Sequence, residues 1–157
     1  MPFHIEKDGY SISDDPARLD QAAIFTYLSK CYWANSRLAH TQEIANSNSL
    51  CLGVYKDSVQ IGFARAVTDY ATFAYLCDVY IEDSHQGRGL GKWLMQTLRN
   101  HPRLQGLRRW SLATRDAHSL YAPFGWTPLA HAERWMEKFD NNANPPLSAA
   151  TYQGISP

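Results

Sequence analysis

Residues 75 to 92 read Tyr-Leu-Cys-Asp-Val-Tyr-Ile-Glu-Asp-Ser-His-Gln-Gly-Arg-Gly-Leu-Gly-Lys, and they constrain the fold more than any other stretch. The run from Tyr75 to Ile81 is rich in β-branched and aromatic residues and reads as a buried strand. Glu82 to His85 breaks it. After the glycines, Leu90, Trp93, Leu94 and Leu98 recur at helical spacing. Strand, glycine turn and helix together build an anion site. The first amides of a helix have no internal partner, and the helix dipole adds positive charge there. Glycine lets backbone approach a phosphate closely. Arg88 and Lys92 add formal charge, so the stretch is expected to bind a phosphorylated ligand.

Two familiar phosphate loops do not fit. A dinucleotide fingerprint would need glycine where Lys92 stands, three residues after Gly89. A P-loop would need glycine at Gln86 and Ser or Thr at Trp93. The spacing that does fit is Gln86-x-x-Gly89-x-Gly91.

The rest of the chain supplies a setting. Gly9 to Ile12 alternates as a short first strand after a polar lead, residues 1–8. Asp15-Pro16 starts a helix whose apolar face is Ile24, Tyr27, Leu28 and Cys31. Tyr32, Trp33 and Arg37 precede a second helix, around Leu38 to Asn46. Leu50–Tyr55 and Val59–Thr68 form a hairpin, with Ile61, Phe63 and Arg65 on one face, and Thr72–Ile81 extends it to an antiparallel meander. The glycine helix ends near His101-Pro102. Leu107–Ala113 follows as a strand parallel to the Tyr75 strand, through a right-handed crossover. A short helix spans Asp116–Phe124, where Pro123 is expected to break it early. A last strand is expected at Arg134–Phe139. The domain is expected to cover 1–139, with 140–157 as a mobile tail.

Charge and cysteine content narrow the classes. Lys plus Arg and Asp plus Glu each number 15, so no net field recruits nucleic acid or an acidic membrane. Cys31, Cys51 and Cys77 show no Cys-x-x-Cys spacing and read as reduced core residues. No apolar run reaches signal-peptide or membrane-span length, and a cytoplasmic protein is expected. The histidines lack paired metal spacing, so no metal is expected.

The order of elements and two motifs resemble the GNAT (GCN5-related N-acetyltransferase) superfamily. The first is Gln86 to Gly91. The second is Ala117-His118-Ser119-Leu120-Tyr121-Ala122-Pro123-Phe124-Gly125-Trp126, similar to Ala-x-x-Leu-Tyr-x-x-x-Gly-Phe with Trp126 in place of Phe. The resemblance implies an α/β fold, a central mixed sheet flanked by helices. It implies acetyl-CoA as cosubstrate. Its pantetheine arm would meet the backbone of Val79 and Ile81. Its pyrophosphate would rest on Gln86, Gly87, Arg88, Gly89, Leu90, Gly91 and Lys92. By the same resemblance Tyr121 is the general acid beside the sulfur, and the amide around Val79 donates to the developing oxyanion.

Asp78 is a candidate base, because a carboxylate is rarely buried in a strand without reason. The alternative is a structural ion pair with Arg65. Trp33 and Arg37 are candidate acceptor-binding residues, with Arg37 suited to a carboxylate. The expected activity is transfer of an acetyl group to a small-molecule amine. The alternatives are a non-catalytic acyl-CoA sensor and a protein-directed acetyltransferase. Family members often pair through strands or the C-terminal segment, so a homodimer stays open.

Overall fold

The computed structural model describes residues 1–140 and 142–143. A six-stranded sheet runs in the order β1 (His4–Lys7), β2 (Tyr10–Ser13), β3 (Leu50–Lys56), β4 (Val59–Thr68), β5 (Phe73–Ile81) and β6 (Arg109–Ser111). Strands β1 to β5 form an antiparallel meander, and β6 lies parallel to β5. The helices are α1 (Gln21–Leu28), α2 (Ala39–Ser47), α3 (Leu90–Asn100) and α4 (His118–Tyr121). Strand alternation sends side chains to two layers. Leu50, Leu52 and Val54 of β3 join Leu90, Leu94, Met95 and Leu98 of α3 in one core cluster. Cys51, Phe63 and Tyr80 meet Ile24 and Leu28 of α1 in the other.

Several boundaries depart from expectation, each for a local reason. The polar lead contains β1, because Asp8 and Gly9 both adopt positive φ, 51° and 77°. Positive φ at both central residues gives a two-residue turn whose twist suits a hairpin. Asp15 caps only a 3₁₀ turn, Pro16–Arg18, and a second cap, Asp20, accepts from the Ala23 amide and starts α1. Pro123 does shorten α4, which passes into a 3₁₀ turn, Ala122–Phe124, closed by Gly125 at φ 89°.

The expected face shared by Ile61, Phe63 and Arg65 is broken by a bulge. Val54 pairs with Gly62 but Tyr55 pairs with Gln60, leaving Ile61 as an extra residue. Ile61 therefore packs with α3, and Phe63 packs with α1. Strand β6 is three residues long, shorter than 107–113. The expected last strand, 134–139, does not form. Ala132–Arg134 is a 3₁₀ turn, and no described strand pairs with 135–139. β-propensity makes a strand only beside a partner ladder, and β6 offers little of one. Met136 and Phe139 stand 97% and 75% exposed. The tail, 140–157, lies outside the described residues apart from Asp140, Asn142 and Ala143.

Candidate active site

A cleft of about 1070 Å³ opens where β5 and β6 part. The two strands pair only at Phe73–Arg109, Ala74–Trp110 and Tyr75–Ser111, and from Leu76 to Ile81 that edge of β5 has no partner strand among the described residues. The cause lies in β5 itself. Phe63 of β4 faces Tyr80 and Arg65 faces Cys77, so Asp78 and Val79 occupy the length of one residue. Asp78 takes a left-handed φ of 54° to achieve this. A bulge bends its strand and adds twist.

At the end of β5 the chain turns through the glycines into α3. Gly87 and Gly89 hold φ of 75° and 78°, values that a side chain strains. No side chain caps α3, so its first amides lack a side-chain partner. Among the described residues, a methyl group built on Gly87, Gly89 or Gly91 would meet nothing within 4 Å, so bare backbone borders the cleft. This cradle fits a pyrophosphate: free amides, a helix N-terminus and Lys92 at the cleft wall.

All of the expected cofactor residues except Arg88 line this cleft. Arg88 is exposed and does not line the cleft. The Gln86 amide nitrogen donates to the Ile81 carbonyl at 2.9 Å and to Asp83 at 3.2 Å, so it secures the turn to the strand. Tyr27 donates to the same carbonyl at 3.3 Å. The Ile81 carbonyl is thus engaged within the chain, and Val79 lines the cleft beside it.

Asp78 points to the helical face of α1 and α2, fully buried at its side chain. Arg65 Nε donates to it at 2.8 Å and Arg37 Nη1 at 2.8 Å. Trp33 Nε1 and Gln42 Nε2 each donate at 3.2 Å. Burial pushes the carboxyl up, but the charges and hydrogen bonds of Arg65 and Arg37 outweigh it, and the pKa falls below the ordinary carboxylate value. Of the two readings of Asp78, a base or an ion-pair partner of Arg65, the geometry shows the ion pair. Four donor groups surround the carboxylate, and two guanidinium groups make it less basic. Arg37 and Trp33 do line the cleft, tied to Asp78 at their inner ends.

Tyr121 stands on the far wall, half-buried, with its ring 6.1 Å from that of Trp126. Its hydroxyl makes no hydrogen bond among the described residues, which leaves it free for a ligand. Burial, then the neighbouring Tyr32, raises its pKa, so it stays a phenol at neutral pH. Cys77 also lines the cleft, but burial pushes its thiol up to about 11, which keeps it protonated and a poor nucleophile. No group of three metal-ligating side chains occurs among the described residues.

The sequence reading missed Arg115, Val67 and Tyr75 as cleft residues. Arg115 lies 3.8 Å over the Tyr32 ring, a contact spanning more than eighty positions of chain that local patterning cannot register. Tyr75 was legible only as a strand residue; the absence of a β6 partner beyond Ser111 is what exposes the wall it stands in.

Comparison with known proteins agrees with this layout. A family model described as the acetyltransferase (GNAT) family matches residues 14–126. A provisionally named acetyltransferase of Gibberella zeae is 35% identical over 143 residues, 76% of this chain and 80% of the relative. A crystal structure of a GNAT-family protein from Xanthomonas campestris superposes with a TM-score of 0.83 at 43% identity, covering 86% of this chain and 96% of that one. A Clostridium acetobutylicum structure, solved with acetyl-CoA, shares the fold at a TM-score of 0.58 and 14% identity, covering 83% of this chain and 94% of that one. With the glycine cradle, the parted strands and Tyr121 in one cleft, and a family match over most of its length, this chain belongs to the GNAT family of N-acetyltransferases.

Proposed function

We propose that the protein uses acetyl-CoA to acetylate the primary amine of a small molecule. The observation that carries this is the single cleft running from the glycine cradle, past the open edge of β5, to Tyr121. The acetyl-CoA bound by a fold relative supports the choice of cosubstrate.

Acetyl-CoA supplies an activated thioester: a carbon–nitrogen bond forms to the acceptor as the carbon–sulfur bond breaks, one proton leaves the amine and one reaches the thiolate. The chain's own groups do the rest. The amides of Gly87 to Gly91 and Lys92 hold the diphosphate. The Val79 amide lies at the bulge, where β5 has an open edge. Tyr121 keeps its phenolic proton at neutral pH and can give it to the departing thiolate. Asp78 positions Trp33 and Arg37 without exchanging protons.

Thermal unfolding with acetyl-CoA, followed by amine-dependent thiol release, tests the reading. A ligand at about 100 times its dissociation constant adds about 2.7 kcal/mol of stability. A rise in Tm together with thiol release supports the function. No rise at any concentration overturns the assignment of acetyl-CoA.

A further inference from the structure

The cleft has two chemically different ends. One is the glycine cradle. Beyond the β5 bulge, the other end is walled by Tyr32, Trp33, Val67, Tyr75 and Leu120, each between 37% and 43% exposed. Val67 and Tyr75 are direct cross-strand partners, and the rings of Tyr32 and Trp33 meet edge to face at 5.2 Å. Large apolar side chains held half-exposed on a concave wall mark a binding surface for apolar matter.

Charge at this end has one sign in excess. Arg37, Arg65 and Arg115 line it against the carboxylates of Asp78 and Asp116. Arg37 and Arg65 share Asp78. Arg115 differs from both: its guanidinium is stacked on Tyr32, and among the described residues it makes no ion pair and no side-chain hydrogen bond. Stacking covers one face of the plane and leaves the N–H edges outward. That is the geometry in which arginine takes a carboxylate by two parallel bonds.

We propose that the acceptor is a free α-amino acid with a large apolar or aromatic side chain, its carboxylate held by Arg115 and its side chain lying against Tyr32, Trp33 and Tyr75. The excess of one positive charge matches a monoanionic carboxylate better than a dianionic phosphate. This rests on the acetyltransferase reading of the same cleft and adds the class of its second substrate.

The test compares phenylalanine with phenylalanine amide, with phenethylamine, with a phosphorylated amine and with a peptide bearing N-terminal phenylalanine. Thiol release gives kcat/KM for each, and calorimetry with the CoA-bound protein gives acceptor affinity without turnover. Phenylalanine should exceed its amide and phenethylamine about tenfold in both measures, the worth of a charge-assisted bond. Arg115→Ala should abolish that preference, while Arg115→Lys keeps part of it. Acetyl-CoA should still raise the Tm of both variants, which shows that they fold. The proposal is overturned if the amide, the phosphorylated amine or the peptide does as well as the free amino acid. It is also overturned if Arg115→Ala leaves the preference intact. Turnover of phenethylamine without any acid preference defeats this proposal alone; no turnover of any amine, with acetyl-CoA still bound, defeats the small-amine reading and this one with it.

Discussion

Asp78 is the residue on which the cleft's inner wall depends. Its carboxylate joins β4, through Arg65, to the segment after α1, through Trp33 and Arg37, and to α2 through Gln42. Asp78→Asn would leave two guanidinium groups beside a neutral amide, so stability should fall by about 3 kcal/mol in urea unfolding, as when one partner of a buried ion pair is removed. The pH dependence has a definite sign. The folded-state pKa lies below the unfolded value, so the contribution is complete above about pH 4 and is lost as pH falls through the folded value. Asp78→Asn should flatten this acid limb. Tyr121→Phe tests a different role, since it keeps the ring and deletes the proton. It should lower kcat about 100-fold or more, while the acetyl-CoA shift in Tm stays as it was. An unchanged kcat would remove Tyr121 from the chemistry.

At the scale of elements, the glycine turn and the start of α3 serve conformation and ligand separately, and two substitutions divide them. Gly89 is left-handed, so Gly89→Ala should cost about 1 kcal/mol from backbone strain alone, because open space surrounds the new methyl. Gly91 lies in the first turn of α3 with no positive φ. Gly91→Ala should raise stability by up to about 1 kcal/mol, since alanine favours helix over glycine. The same methyl intrudes on the cradle, so acetyl-CoA should bind more weakly. Stability and affinity moving in opposite directions, read by urea unfolding and calorimetry, would mark a surface shaped for a ligand. Both moving down would mark a purely structural turn. In β4, Gly62 serves packing: a methyl there would come within 2.7 Å of Ile81 Cδ1 and 3.0 Å of the Tyr80 carbonyl, forcing β4 away from β5 beside the cleft.

Across the whole molecule, the N-terminal hairpin is fastened to the end of α3 by His101. Its Nε2 meets Asp14 at 3.1 Å, and Nδ1 accepts from the Arg103 amide at 3.3 Å. That pattern requires a neutral ring with the proton on Nε2. Burial, helped by the charge of Arg103, depresses the imidazole's pKa more than Asp14 raises it. The fold is therefore most stable above about pH 6.5 and loses this contribution as pH falls through the folded value. Unfolding free energy should decline in two steps on acidification, the first from His101 and the second, below pH 4, from Asp78. A variant His101→Asn that kept the first step would place its origin elsewhere.

The glycine turn, the amphipathic face of α3, the β3–β4–β5 meander and the parallel return of β6 were legible in the sequence, because each is written in side chains within a few turns or one strand of each other. The Asp8–Gly9 hairpin was also written there, and the polar lead obscured it. What only tertiary structure decided depends on residues distant in sequence or on a partner strand. Bulges at Ile61 and Asp78 change which face later residues present, and register is a property of two strands together. Asp78 reads equally as a base or as an ion-pair partner until Trp33, 45 positions away, and Arg37, 41 positions away, are brought onto it. Nothing local marks Arg115 as a cleft residue; only the fold lays Tyr32 beneath it. Residues 134–139 have the composition of a strand, but a strand also needs an edge to pair with, and only the assembled sheet determines whether one is there.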